Sequence, residues 1–166
     1  MEELEFYPFN SSNMVLREDN MAIVRHDSLG HLCGYVAFPA KDIPKKWHGT
    51  YNADALQYLN IHGGLTFAKK PNDDWVVFGF DCAHSGDEDN ASLKDPEYVM
   101  DLTRQMEQQL IDYAAIIKKW RKANRGKRME MVDEIRDKGK HSEEIGFGAL
   151  LGALWGATEF GDEEEE

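Results

Sequence analysis

The stretch Ile61–Asp87, IHGGLTFAKKPNDDWVVFGFDCAHSGD, decides the fold. Two apolar runs, Ile61–Phe67 and Trp75–Asp81, flank AKKPNDD, in which Pro71-Asn72-Asp73 fits a tight turn. The pattern predicts a β-hairpin. If Phe67 pairs with Trp75, then Leu65 faces Val77, Gly63 faces Gly79 and Ile61 faces Asp81. Side chains alternate faces along a strand, so His62, Gly64 and Thr66 share a face with Val76, Phe78 and Phe80, and Cys82 extends it by one step. His62, Cys82 and His84 are then expected to meet at one end of the hairpin, beside Asp87, with Asp81 on the opposite face. A slip of one residue would exchange these faces.

Working outward, Met21–Arg25 and Leu32–Phe38 read as a second hairpin across His26–His31. Gly34 inside the second of these strands predicts a bulge or a close backbone approach. Asn10–Asn13 reads as a turn and Pro39–Tyr51 as a loop, while Ala53–Asn60 fits either one helical turn or the entry to a strand. Four strands joined by short loops predict an antiparallel sheet.

The clearest helix opens at Asp95, a good N-cap, with Pro96 at the first helical position and Glu97 at the positive end of the dipole. Val99, Leu102, Met106, Leu110, Tyr113, Ile117 and Trp120 recur at spacings of three and four. One apolar stripe therefore runs along a helix from Asp95 to about Asn124. Gly126 is expected to break it, Lys127–Lys138 to form a shorter helix and Ile145–Phe160 to dock as a glycine-faced helix. The fold class is α+β: a small antiparallel sheet of about four strands packed by a long helix, with helical C-terminal elements. Residues 1–94 form the β-rich part, residues 95–160 a helical part packed on it in a single domain, and residues 161–166 a disordered acidic tail.

Net charge is −12, but six of the last eight residues are acidic, so without them the charge is −6. That balance argues against general phosphate-backbone binding. KKWRKANRGKR is the exception, a basic patch of Lys118, Lys119, Arg121, Lys122, Arg125, Lys127 and Arg128. It reads either as a contact for nucleic acid or an acidic surface, or as cations favoured at a helix C-terminus. Two cysteines, Cys33 and Cys82, make no disulfide framework and suit a reducing cytosol. The N-terminus MEELEFYPFN lacks the basic and apolar regions of a signal peptide, and no apolar run is long enough to span a bilayer.

His62, Asp81, Cys82, His84 and Asp87 are the side chains that bind metals and move protons. Two imidazoles with a thiolate or carboxylate complete a transition-metal shell, with zinc as the representative cofactor. Alternatively, a histidine beside an aspartate is an oriented general base, or Cys82 an activated nucleophile. The same residues also serve as turn caps and core fillers, and one histidine followed some twenty residues later by D-C-x-H matches no established metal signature.

Cys33-Gly34-Tyr35-Val36, His62-Gly63-Gly64-Leu65-Thr66 and Gly79-Phe80-Asp81-Cys82-Ala83-His84, with Gly86-Asp87, resemble a group of small bacteriophage and prophage proteins. The likeness covers about residues 20–90. It implies a viral gene acting in the host cytoplasm, with His62, Asp81, Cys82, His84 and Asp87 as the residues carried over, and it names no activity. The leading expectation is an accessory protein that binds a host or viral protein, for instance as an acidic inhibitor of host defence. The rivals are a metal- or ligand-binding protein, hydrolytic in one form, using the His62/Cys82/His84 end, and a virion or structural component. The near-heptad helix stripe also suits a homo-oligomer.

Overall fold

The computed structural model describes residues 3–123. Five strands form one antiparallel sheet in the order β1-β2-β3-β5-β4: β1 Met14–Glu18, β2 Met21–Arg25, β3 Leu32–Pro39, β4 Phe67–Lys69 and β5 Trp75–Asp81. A single α-helix, α1, runs from Pro96 to Lys122. The α+β class holds, with one strand more than expected. The added strand, β1, has the sequence MVLRE, is half-buried along most of its length, and carries a register irregularity between Met14 and Leu16. Its apolar alternation is too weak to separate it from the mixed residues around it.

Alternation divides the core into two layers. Met21, Ile23, Leu32, Val36, Phe38, Val76, Phe78 and Phe80 face α1 and meet Val99, Met100, Met106, Leu110, Tyr113 and Ile117. The other face carries Ala22, Val24, Cys33, Tyr35, Ala37 and Val77, covered by Leu4 and Phe9 of the N-terminal segment. Both faces of β3 are therefore buried, which explains its continuous apolar sequence. The expected close approach at Gly34 is present. A Cβ there would overlap Thr103 Oγ1 and the Phe80 ring, so glycine lets α1 settle onto β3.

The helix begins as its sequence predicts. The Asp95 side chain accepts from Glu97 N at 3.0 Å, Pro96 opens the first turn, and Lys119, Arg121 and Lys122 sit in the last. Ala53–Asn60 resolves in favour of a helical turn, a 3-10 segment over Asp54–Tyr58.

The hairpin of the 61–87 stretch differs from its expected form. Only Phe67–Lys69 pairs with β5, and Phe67 lies opposite Gly79, not Trp75. The register moves by four residues. An even shift preserves facing, so Ala68 joins the helix-side core as the alternation requires. Asn72 Oδ1 accepts from Asp74 N and Trp75 N at 3.0 and 2.9 Å, which closes a wider turn than a two-residue hairpin. Ile61–Thr66 is a loop, not a strand. Gly63 and Gly64 hold φ of +65° and +79°, and two left-handed residues in succession cannot continue a ladder.

The expected Lys127–Lys138 helix, the Ile145–Phe160 segment and the acidic tail lie outside the described residues. No described helix is long and apolar enough to cross a membrane.

Candidate metal centre

The end of β5 and the loop ahead of β4 build the site. After Asp81 the chain turns, with Asp87 N donating to His84 O at 3.0 Å. Asp87 Oδ2 accepts from His84 N at 2.8 Å, so the carboxylate caps its own turn. The 61–66 loop folds over this turn, closed by Gly64 N donating to Ile61 O at 2.9 Å. That fold brings His62 Nε2 to 2.8 Å from the same Asp87 oxygen. With Asp87 ionised, His62 Nε2 is the donor.

His84 approaches the same carboxylate oxygen. Its Nδ1 lies 3.3 Å from Asp87 Oδ2 and is buried, yet among the described residues it makes no hydrogen bond of acceptable geometry. The two imidazoles meet edge to face, with ring centroids 5.4 Å apart at 80°. Gly63 lies against the His84 ring so closely that a Cβ there would overlap it. The glycine pair thus both turns the loop and makes room for the imidazole.

His62, His84 and Asp87 each offer one ligand atom, and these atoms lie within 4.8 Å of one another. Donors about 2.0–2.1 Å from a tetrahedral zinc ion stand roughly 3.3 Å apart. The observed 2.8 and 3.3 Å separations from Asp87 Oδ2 are close to that edge. The donor set also fits chemically, being two imidazoles and a carboxylate. His84 Nδ1, buried without a well-formed hydrogen bond among the described residues, is the atom that a cation would satisfy. Side-chain exposure of 26% for His62 and 34% for His84 leaves the site open to solvent on one side.

Electrostatics favour an anionic Asp87. Burial raises its carboxyl, but hydrogen bonds from the His62 ring and from His84 N outweigh that and hold it below its ordinary value. Asp81 stands at the margin. On the face opposite the helix it pairs with Cys33 across the sheet, as its position in the alternation predicts. Its Oδ1 accepts from Ala83 N at 3.0 Å and lies 3.7 Å from His84 Nδ1.

Cys82 departs from the convergence expected of it. It is buried in the helix-side core and stands outside the group of three donors. Burial and the nearby Asp87 carboxylate push its thiol up to about 12, which disfavours an activated nucleophile. Alternation placed Cys82 on the right face, where it is buried and also borders the cleft that Asp87 lines.

One neighbour has no counterpart in the hairpin argument. His31 stacks on His26 with centroids 4.7 Å apart at 17°, and its protonated form is disfavoured by burial and by His26. It reaches the site because β3 pairs with β5, Cys82 N donating to Leu32 O at 3.0 Å. That pairing joins segments nearly fifty residues apart and leaves no local signature.

Four members of the basic patch, Lys118, Lys119, Arg121 and Lys122, lie on the last turns of α1, with Lys118 Nζ donating to Lys41 O at 3.4 Å. Trp120 between them is buried, as its place in the stripe predicts. Arg125, Lys127 and Arg128 fall outside the described residues.

No protein-family model, no curated protein and no solved structure matches this chain.

Proposed function

We propose that this protein binds a divalent transition metal of the zinc type through His62 Nε2, His84 Nδ1 and Asp87. The metal replaces the proton that His62 Nε2 otherwise donates to Asp87, and that proton leaves to solvent or moves to His62 Nδ1. The observation that carries the reading is the buried His84 Nδ1, which makes no well-formed hydrogen bond among the described residues and stands 3.3 Å from the carboxylate oxygen that His62 also contacts. Three protein ligands leave a fourth position for water or substrate, and such a metal polarises what it holds and lowers the pKa of bound water. Around it, Asp81 faces His84 and Gly63 accommodates the imidazole ring.

Metal analysis of full-length protein, loaded with zinc and desalted, tests the reading. One equivalent is expected to remain in the wild type and in Cys82→Ser, and to be lost in the His62→Ala/His84→Ala double variant. A wild type that retains no stoichiometric metal would overturn it.

A second reading, an acidic accessory protein bound to a basic host or viral partner in the host cytoplasm, is supported by the net charge of −12. It predicts a salt-sensitive complex on affinity capture from host lysate. Capture of no salt-sensitive partner counts against it.

A further inference from the structure

Beside the metal centre lies a cleft of about 400 Å³, within the size range of small-molecule sites. It opens between the β2–β3 loop, the end of β5 and the turns leading to α1. Arg25 and His31 line one wall and Lys94 another. Asp87, the carboxylate of the metal centre, lines the same cleft, together with Glu88. Buried Leu93 contributes apolar lining. The cleft and the metal centre therefore share a residue.

We propose that this cleft takes a small phosphorylated compound, its phosphate held between Arg25, Lys94 and a metal ion on Asp87. The inference rests on the metal reading above and names a ligand class for that site. Charge carries the argument. Arg25 and Lys94 are balanced by Asp87 and Glu88, so the cleft without metal has no electrostatic preference for an anion. A divalent cation on Asp87 adds two positive charges at its wall. The three cationic contacts then match a dianion with three terminal oxygens better than a carboxylate with two. Arg25 is already oriented, since its Nη1 donates to Gly30 O at 3.1 Å, and its remaining guanidinium donors have no hydrogen-bond partner among the described residues. Leu93 supplies an apolar surface for the organic part.

The consequence is anion binding conditional on metal, which separates this proposal from simple attraction to basic residues. Phenyl phosphate and benzoate are titrated calorimetrically into zinc-loaded, desalted full-length protein and into metal-free protein. Phenyl phosphate is expected to bind the zinc form at least 10-fold more tightly than the metal-free form, and more tightly than benzoate. Arg25→Ala/Lys94→Ala is expected to retain one equivalent of zinc and to lose at least 10-fold in phenyl phosphate affinity. Retained zinc with no phosphate preference, or with undiminished affinity in the double variant, overturns this inference and leaves the metal reading intact. Failure to retain zinc overturns both.

Discussion

Replacing Gly63 by alanine tests the metal centre without touching a ligand. Gly63 and Gly64 adopt left-handed φ of +65° and +79°, so alanine at either costs about 1–2 kcal/mol of backbone strain. Their surroundings differ. A Cβ at Gly64 meets nothing within 4 Å, whereas a Cβ at Gly63 overlaps the His84 imidazole. Gly64→Ala therefore isolates the backbone strain, and Gly63→Ala adds displacement of one ligand. The readout is urea unfolding of both variants with and without zinc. At zinc 100-fold above the wild-type Kd, binding to the folded state adds about 2.7 kcal/mol. Displacing a group that orients a ligand typically weakens a metal site by about 10–100-fold. A 100-fold loss would shrink the zinc increment to about 0.4 kcal/mol. Gly64→Ala is expected to keep the full increment although its baseline stability falls. Gly63→Ala is expected to lose most of it. Equal increments in wild type and Gly63→Ala would refute the assignment of His84 as a ligand.

Other expectations follow from the packing and the ion pairs. Phe78→Ala empties a fully buried position against α1 and should cost about 3–5 kcal/mol, read by urea or thermal unfolding; a loss under 1 kcal/mol would contradict the core described. Glu18 is held below its ordinary value mainly by its hydrogen bond with Arg104, which ties β1 to α1. A depressed carboxyl stabilises the fold above its ordinary pKa of 4.5 and loses that contribution as pH falls through the lower folded value. The stability gap between wild type and Glu18→Gln should therefore close on acidification through that window, and a gap independent of pH would refute the coupling. Burial pushes Cys33 to about 11 and Cys82 to about 12, so at pH 8 about one Cys33 thiol in a thousand is ionised, and fewer at Cys82. Iodoacetamide should modify both slowly in native protein and rapidly in urea; fast native labelling of Cys82 would return it to the site.

Much of the fold was legible because its cues are local. The Asp95 cap, the proline after it and the apolar stripe lie within one helix, and the described structure follows them to Lys122. The paired strands around His26–His31 were equally direct, since a short loop fixes its own partners. Facing in β5 also survived, because alternation depends only on parity. The site was half legible. His62, His84 and Asp87 were singled out by residue type, and Asp81 was placed on its correct face. The loop at Ile61–Thr66 was not legible and was read as strand, since apolar content there masked two glycines that the backbone uses in left-handed form.

Sequence by itself determined the helix, three of the five strands, the two faces of the sheet and the identity of the reactive side chains, because propensity, capping and alternation act over a few residues. Tertiary structure decided which of those side chains meet. The pairing of β3 with β5 delivered His31, and the loop at Gly63-Gly64 carried His62 across to Asp87. The packing of the helix-side core left Cys82 buried and outside the group of three donors. Each of these joins segments distant in the chain, where position is set by the whole core and no local pattern records it.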